Sequence, residues 1–322
     1  MCSSDLALGH VDEHLQSARA AYRAALQMDA QIADVHAHLA RVEARLGRRD
    51  EAQALYAQAL EVDADDVMAR LELAALYREM GQPHVGRGVL ADGLARRADS
   101  PLLHQEMGRF IWEDGDAQRA LEHIERARKL APDLPLAQRY AALLYSTVGR
   151  ADDALAVYAE LAAQNPQDAS VWVSMGIVHS QRGDWQRAEA AFKQALTIGG
   201  DGGDAALKLG GLYVHRGRLR PAVKVFSDGV AQYPDNAELH ASLGDVYRQL
   251  GVLGAALDAG EASVRLEPER ALWRYHLAAT YERAYPERAR AEWQRYMELA
   301  RDDEREQQRL RDVENKWQGD HD

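Results

Sequence analysis

The sequence predicts an all-α fold made of a tandem array of helical hairpins, and three regularities predict it. Glycine recurs every 34 residues from Gly47 to Gly251. When each repeat is numbered so that this glycine is position 15, positions 8 and 20 of the first seven repeats are always alanine or glycine. Apolar residues follow helical spacing, as at Leu73, Leu76 and Tyr77. A fixed period of this size indicates units that bury their apolar faces by stacking on their neighbours.

Each repeat is predicted to contain two helices. The first ends at the position-15 glycine, because glycine readily adopts the left-handed conformation that caps a helix. The second continues the apolar spacing, as at Ala188, Ala191 and Phe192, and in several repeats it ends before a proline such as Pro166 or Pro234. Small residues at positions 8 and 20 let the helices approach closely, and a bulky residue at position 24 fills the space beside them.

This pattern resembles the tetratricopeptide repeat of bacterial-type repeat proteins. The best match is residues 169–202, and the residues that carry it are Trp172, Gly176, Gly183, Ala188, Phe192 and Ala195. The resemblance implies a right-handed α-α superhelix, a solenoid of about eight 34-residue hairpins. We expect one continuous solenoid domain, with an N-terminal partial repeat at 1–32, eight tandem repeats at 33–300, and a charged capping helix and tail at 301–322.

Two irregularities lie near the end of the array. Tyr285 replaces the position-15 glycine in the eighth repeat, which predicts a tighter turn. Gly260 replaces the bulky position-24 residue in the seventh repeat, which predicts loose packing there. Trp273 is the nearest large side chain in the sequence that could fill the gap.

Composition and motifs argue against several function classes. The formal net charge is −12 and no Lys/Arg-rich block occurs, so we expect no nucleic-acid partner. No apolar stretch reaches membrane-spanning length. The single cysteine, Cys2, provides neither a disulfide nor a zinc cluster. Without a recognisable catalytic, cofactor or metal motif, we expect no enzyme activity, no cofactor and no metal.

These features favour a cytoplasmic protein. An alternative starts from the segment that begins at Cys2, which reads Cys-Ser-Ser-Asp and resembles the start of a mature bacterial lipoprotein. On that interpretation the protein is periplasmic and anchored to lipid through Cys2.

The resemblance also implies a binding surface, because first helices in this family line a concave groove. The central residues that match groove positions are Arg109, Trp112, Arg139, Tyr140, Leu143, Val173 and Ile177. Trp, Tyr and Arg are enriched at interface hot spots. We therefore expect this group to contact a partner segment that combines apolar anchors with carboxylates.

The sequence thus favours a non-enzymatic scaffold that binds a partner peptide or protein segment in the groove, and it leaves a homo-oligomer open. One alternative is a lipid-anchored periplasmic assembly factor for a secretion, pilus or envelope machine. An alternative of another class is the regulatory arm of an enzyme such as a glycosyltransferase, whose catalytic domain would lie outside this chain.

Overall fold

The computed structural model describes residues 3–200 and 202–319; Cys2, the residue of the lipid-anchor hypothesis, lies outside them. Within these ranges the chain forms eighteen α-helices and no strand. Their bounds are Ser3–Met28 (α1), Ala33–Arg45 (α2), Arg49–Val62 (α3), Val67–Glu79 (α4), Pro83–Arg96 (α5), Pro101–Glu113 (α6), Ala117–Leu130 (α7), Pro135–Thr147 (α8), Ala151–Gln164 (α9), Ala169–Gln181 (α10), Trp185–Ile198 (α11), Asp204–His215 (α12), Leu219–Gln232 (α13), Ala237–Gln249 (α14), Leu253–Leu266 (α15), Ala271–Ala284 (α16), Pro286–Ala300 (α17) and Gln307–Gly319 (α18). The predicted all-helical fold is confirmed.

The helices group into two compact units, residues 1–157 and 158–322. The boundary between the units falls within α9, and apart from that helix consecutive helices pack against one another. First helices of successive repeats also touch: α4 contacts α6 and α6 contacts α8 in the first unit, while α10 contacts α12 and α12 contacts α14 in the second. Each unit therefore presents neighbouring first helices on a shared face.

The glycines that set the period end the first helices of the first seven repeats. Each has a positive φ, between 68° at Gly217 and 92° at Gly115. At Gly47 the amide donates to the Ala44 carbonyl and the next amide, that of Arg48, donates to Glu43. This geometry ends the helix and turns the chain, as the sequence predicted. In the eighth repeat only Tyr285 separates α16 from α17, so the turn there is tighter, also as predicted.

Small residues at position 8 make room for the bulky residue at position 24. A β-carbon on Gly210 would overlap the ring of Phe226, which is buried against it. The seventh repeat has Gly260 at position 24, so this position supplies no bulky side chain to the space between its two helices. Leu277 is the side chain that a β-carbon on Gly260 would meet, and the backbone of Gly260 lies close to Gly244. Trp273, the nearest large side chain in the sequence, lies in the same buried core as Leu277, and its filling of the gap stays a prediction.

A polar side chain at position 4 links most repeats to the one before. It contacts a backbone carbonyl six residues earlier, in the turn that follows the preceding helix. The contacts run from His36 to Ala30, Arg70 to Ala64, His104 to Ala98, Gln138 to Pro132, Trp172 to Pro166, His240 to Pro234, and Arg274 to Pro268. Side chains as different as glutamine and tryptophan thus contact the same turn carbonyl between repeats.

The last helix packs on the eighth repeat. Leu310 and Val313 of α18 are each 6% exposed and join the core that contains Trp293 and Tyr296. The Tyr296 hydroxyl donates to the buried carboxylate of Glu306 at 3.3 Å. None of the helices in the described ranges is long and apolar enough to cross a membrane.

Candidate functional site

In the first compact unit, α6 and α8 bring together most of the residues selected from the sequence. The rings of Trp112 and Tyr140 meet edge to face, with centroids 6.0 Å apart and planes at 70°. Leu143 follows one turn further along α8 and is 38% exposed. Arg139 is exposed on the same helix. We call this surface, made of Arg109, Trp112, Arg139, Tyr140 and Leu143 with Leu136, the α6–α8 face.

Leu136 extends the apolar part of this face. It is 52% exposed and lies four residues before Tyr140, so Leu136, Tyr140 and Leu143 form a stripe along one side of α8. The adjacent edge-to-face aromatic pair adds a stiff surface. Exposed apolar side chains that are contiguous, rather than scattered singly, are typical of interaction sites.

The charge of Arg109 is compensated within the protein. Its guanidinium Nε lies 2.9 Å from Glu106 Oε2, and its Nη1 lies 3.4 Å from Glu113 Oε1. Arg78 of α4 also donates to Glu113, at 3.1 Å. The Arg109 side chain is only 15% exposed. The geometry therefore does not favour the expected contact between Arg109 and a partner carboxylate, because two carboxylates of the chain already hold this guanidinium.

The same carboxylates set the electrostatics of the aromatic pair. Burial raises the pKa of the Tyr140 hydroxyl, and the negative charges of Glu106 and Glu113 raise it further. Burial also raises the pKa of the Glu106 carboxyl, against the opposing effects of Gln105 and Arg78. Tyr140 thus stays a neutral phenol at physiological pH and can act only as an apolar surface with a hydrogen-bonding tip.

Val173 and Ile177 belong to the second compact unit, on α10. Val173 is 4% exposed and lies in the core of that unit, where it packs with residues of α11 and α12, so it offers almost no surface to a partner. Residues of α12, the first helix of the following repeat, belong to the same buried cluster as Val173. Ile177 is half-buried and lines a cavity.

That cavity has a volume of about 430 Å³ and lies among α10, α11 and α12. Its walls are mostly apolar, and the residues that matter most are Ile177, Trp185, Leu207, Lys208, Gly211 and His215. The rings of Trp185 and His215 lie 5.5 Å apart, and the Arg216 guanidinium stacks over Trp185 at 5.3 Å. We call it the α10–α12 cavity.

Comparison with known proteins identifies the repeats. Models of the tetratricopeptide repeat match residues 33–66, 106–169, 139–205 and 180–246, which together cover more than half of the chain. The chain belongs to the tetratricopeptide-repeat family. Repeats of this family generally form protein-interaction scaffolds.

Individual relatives agree with the family. Human tetratricopeptide repeat protein 13 is 29% identical over 133 residues, which is 41% of this chain and 15% of that protein. A tetratricopeptide repeat protein of Parabacteroides merdae superposes with a TM-score of 0.57 at 13% identity, covering 77% of this chain and 98% of the other. The structure of pilF from Pseudomonas aeruginosa gives 0.51 at 17% identity, covering 64% and 94%. At these identities the two structures show a shared fold.

Sequence reasoning missed several residues of this tetratricopeptide-repeat chain that decide the chemistry of its faces. Glu106 and Glu113 stand at repeat positions 6 and 13, which are groove positions, so a complete reading of those positions would have found them. Trp185 starts a second helix, where the family pattern predicts a turn or core residue. Its ring nevertheless reaches His215 of α12, and no sequence signal indicated this.

Proposed function

We propose that this protein is a non-enzymatic scaffold whose α6–α8 face binds an extended or helical segment of a partner protein. The observation that supports this most is the Trp112–Tyr140 pair beside the exposed stripe of Leu136 and Leu143. Large aromatic side chains at the centre of a face, flanked by aliphatic ones, are the residue types that dominate binding energy in interfaces.

Because Arg109 is paired within the chain, we propose an apolar partner segment at this face rather than a strongly acidic one. Glu106 and Glu113 neutralise Arg109, so an incoming carboxylate would have to displace one of them to pair with this guanidinium. A partner segment that presents apolar side chains at helical or extended spacing suits the stripe on α8 better than a strongly acidic one.

Site-specific photo-crosslinking tests this proposal. A photoreactive amino acid placed at Leu143 should capture a discrete partner from extract of the source cells. The same amino acid at Glu122, which is exposed on the second helix α7, is the matched control. We expect a defined crosslink from position 143 that is absent from position 122, and loss of that crosslink when Trp112 is replaced by alanine. Equal crosslinking from both positions, or persistence in the Trp112→Ala variant, would refute the α6–α8 face as the site.

A further inference from the structure

We infer that the α10–α12 cavity is a second, selective contact point, which takes one bulky apolar side chain of a partner segment that also carries an acidic residue beside it. This inference rests on the proposed scaffold function, since it names the chemistry of a partner segment that the second compact unit would bind by itself. It uses none of the residues of the α6–α8 face.

The size and lining of the cavity fit a side chain better than a cofactor. Its volume of about 430 Å³ is near the lower end of the range for ligand pockets, roughly 300–1,000 Å³. Ile177 and Leu207 provide aliphatic walls and Trp185 provides an aromatic one. A Trp, Phe or Leu side chain inserted here would leave water for an apolar surface on several sides.

Gly211 keeps the cavity open. It lies in the middle of α12, where glycine weakens a helix relative to alanine. Its neighbour Gly210 is required because a β-carbon would overlap Phe226, but a β-carbon on Gly211 would meet no atom within 4 Å. Packing therefore does not explain Gly211, whereas the empty space that it leaves belongs to the cavity.

The charges beside the cavity favour an acidic neighbour for the anchor. Lys208 lines it, and its ammonium lies 3.6 Å from Asp204, with both side chains nearly half-exposed. Such an exposed pair is weak and exchanges readily for another carboxylate. Arg216 adds a second cation, stacked over Trp185. Lys208 and Arg216, next to the exchangeable carboxylate of Asp204, give the site an electrostatic preference for an acidic residue.

Selection of peptides against the whole chain tests the inference. A phage-displayed library of random dodecapeptides is selected on immobilised protein, and enriched sequences are then synthesised and titrated. We expect peptides with a Trp, Phe or Leu next to Asp or Glu. Enrichment of peptides without a bulky apolar residue, or of no peptide at all, would overturn the inference.

Variants locate the binding. Gly211→Leu fills the cavity from inside, and because leucine is a better helix former it should not weaken the fold; we expect about tenfold weaker binding. Gly88→Leu is the matched control, since Gly88 is also an exposed helical glycine with open space at its β-carbon. It should change affinity less than twofold. Lys208→Glu should weaken acidic peptides and leave matched peptides with Asn or Gln unaffected.

The outcomes separate this inference from the proposed function. Peptides that lose affinity with Trp112→Ala but bind Gly211→Leu normally would overturn the cavity and support the α6–α8 face. Peptides that depend on Gly211 and not on Trp112 would support the cavity and count against that face.

Discussion

At the scale of single residues, the repeats conserve a bond rather than a residue type. Position 4 holds histidine, arginine, glutamine or tryptophan in every repeat except the sixth, which has Ala206, and each of these side chains contacts the carbonyl six residues earlier. The sequence did not reveal this, because the family pattern favours tryptophan there and the substitutes look unrelated. What they share is a side-chain nitrogen of sufficient reach to contact the carbonyl of the turn between repeats.

Removal of one such donor should cost measurable stability. Gln138 is buried and its Nε2 donates to the Pro132 carbonyl at 2.8 Å. Gln138→Met keeps the volume and removes the bond, so we expect a loss of about 1–2 kcal/mol in the free energy of unfolding. Trp172→Phe is the comparison, because its bond to Pro166 is long, at 3.4 Å; loss of that bond should contribute under about 0.5 kcal/mol. Urea unfolding followed by circular dichroism measures both, and an equal loss would contradict the role of the short bond.

A second residue-scale prediction concerns Asp245. Burial alone would raise the pKa of its carboxyl, but contacts with His276, at 2.6 Å, and Arg248, at 3.0 Å, outweigh burial and lower it. A lowered folded-state pKa contributes stability above the unfolded carboxyl value of about 3.9 and loses it as pH falls through the folded-state value. Asp245→Asn should therefore destabilise the second unit by about 1–3 kcal/mol at neutral pH, and the difference from wild type should shrink as pH falls through the lowered folded-state pKa of Asp245.

The control for that experiment is Asp228→Asn. Asp228 pairs with Lys224 at 2.9 Å on α13, but both side chains are largely exposed, so we expect almost no change in stability at any pH. Thermal melts over a pH series measure the two variants. A pH-independent loss in Asp245→Asn would show that packing, and not the charge, accounts for the effect.

At the scale of helices and hairpins, most of the fold was predictable. The glycine period fixed the ends of the first helices, and all seven of those glycines have the positive φ that the capping role requires. The gap at Gly260 was not predictable in detail. Sequence spacing named Trp273 as the nearest large side chain, but it did not indicate that a glycine on each of two packed helices, Gly244 and Gly260, brings the two backbones close together.

The capping role of α18 gives an element-scale prediction. Leu310 is buried in the core of the eighth repeat, while its neighbour Arg311 is exposed. Leu310→Asp should detach the helix, expose the apolar face of α17, and lower both the melting temperature and the solubility. Arg311→Asp introduces the same side chain one residue later and should change neither appreciably. Differential scanning fluorimetry with a sedimentation assay checks this, and a Leu310→Asp protein as stable and soluble as wild type would show that α18 is dispensable.

At the scale of the molecule, the repeats explain why the binding surface was only partly predictable. The family pattern identifies which positions lie on the first-helix face, and it correctly brought Trp112 next to Tyr140. It does not tell how deeply each side chain is buried, and it placed the core residue Val173 among the contacts. The pattern also does not indicate that a side chain of a second helix, such as Trp185, contributes to the lining of the α10–α12 cavity. Nor does it indicate that a charge such as that of Arg109 is already compensated by carboxylates of the same chain.

The experiment that decides whether this protein works through its first-helix face is a calorimetric titration with the partner identified by crosslinking. Trp112→Ala is compared with Tyr285→Ala, which removes an aromatic side chain that is 48% exposed at a turn far along the chain. With both variants folded by thermal melt, we expect Trp112→Ala to lose on the order of 1–3 kcal/mol of binding free energy and Tyr285→Ala to bind like wild type. Unchanged affinity in Trp112→Ala would contradict binding at the α6–α8 face.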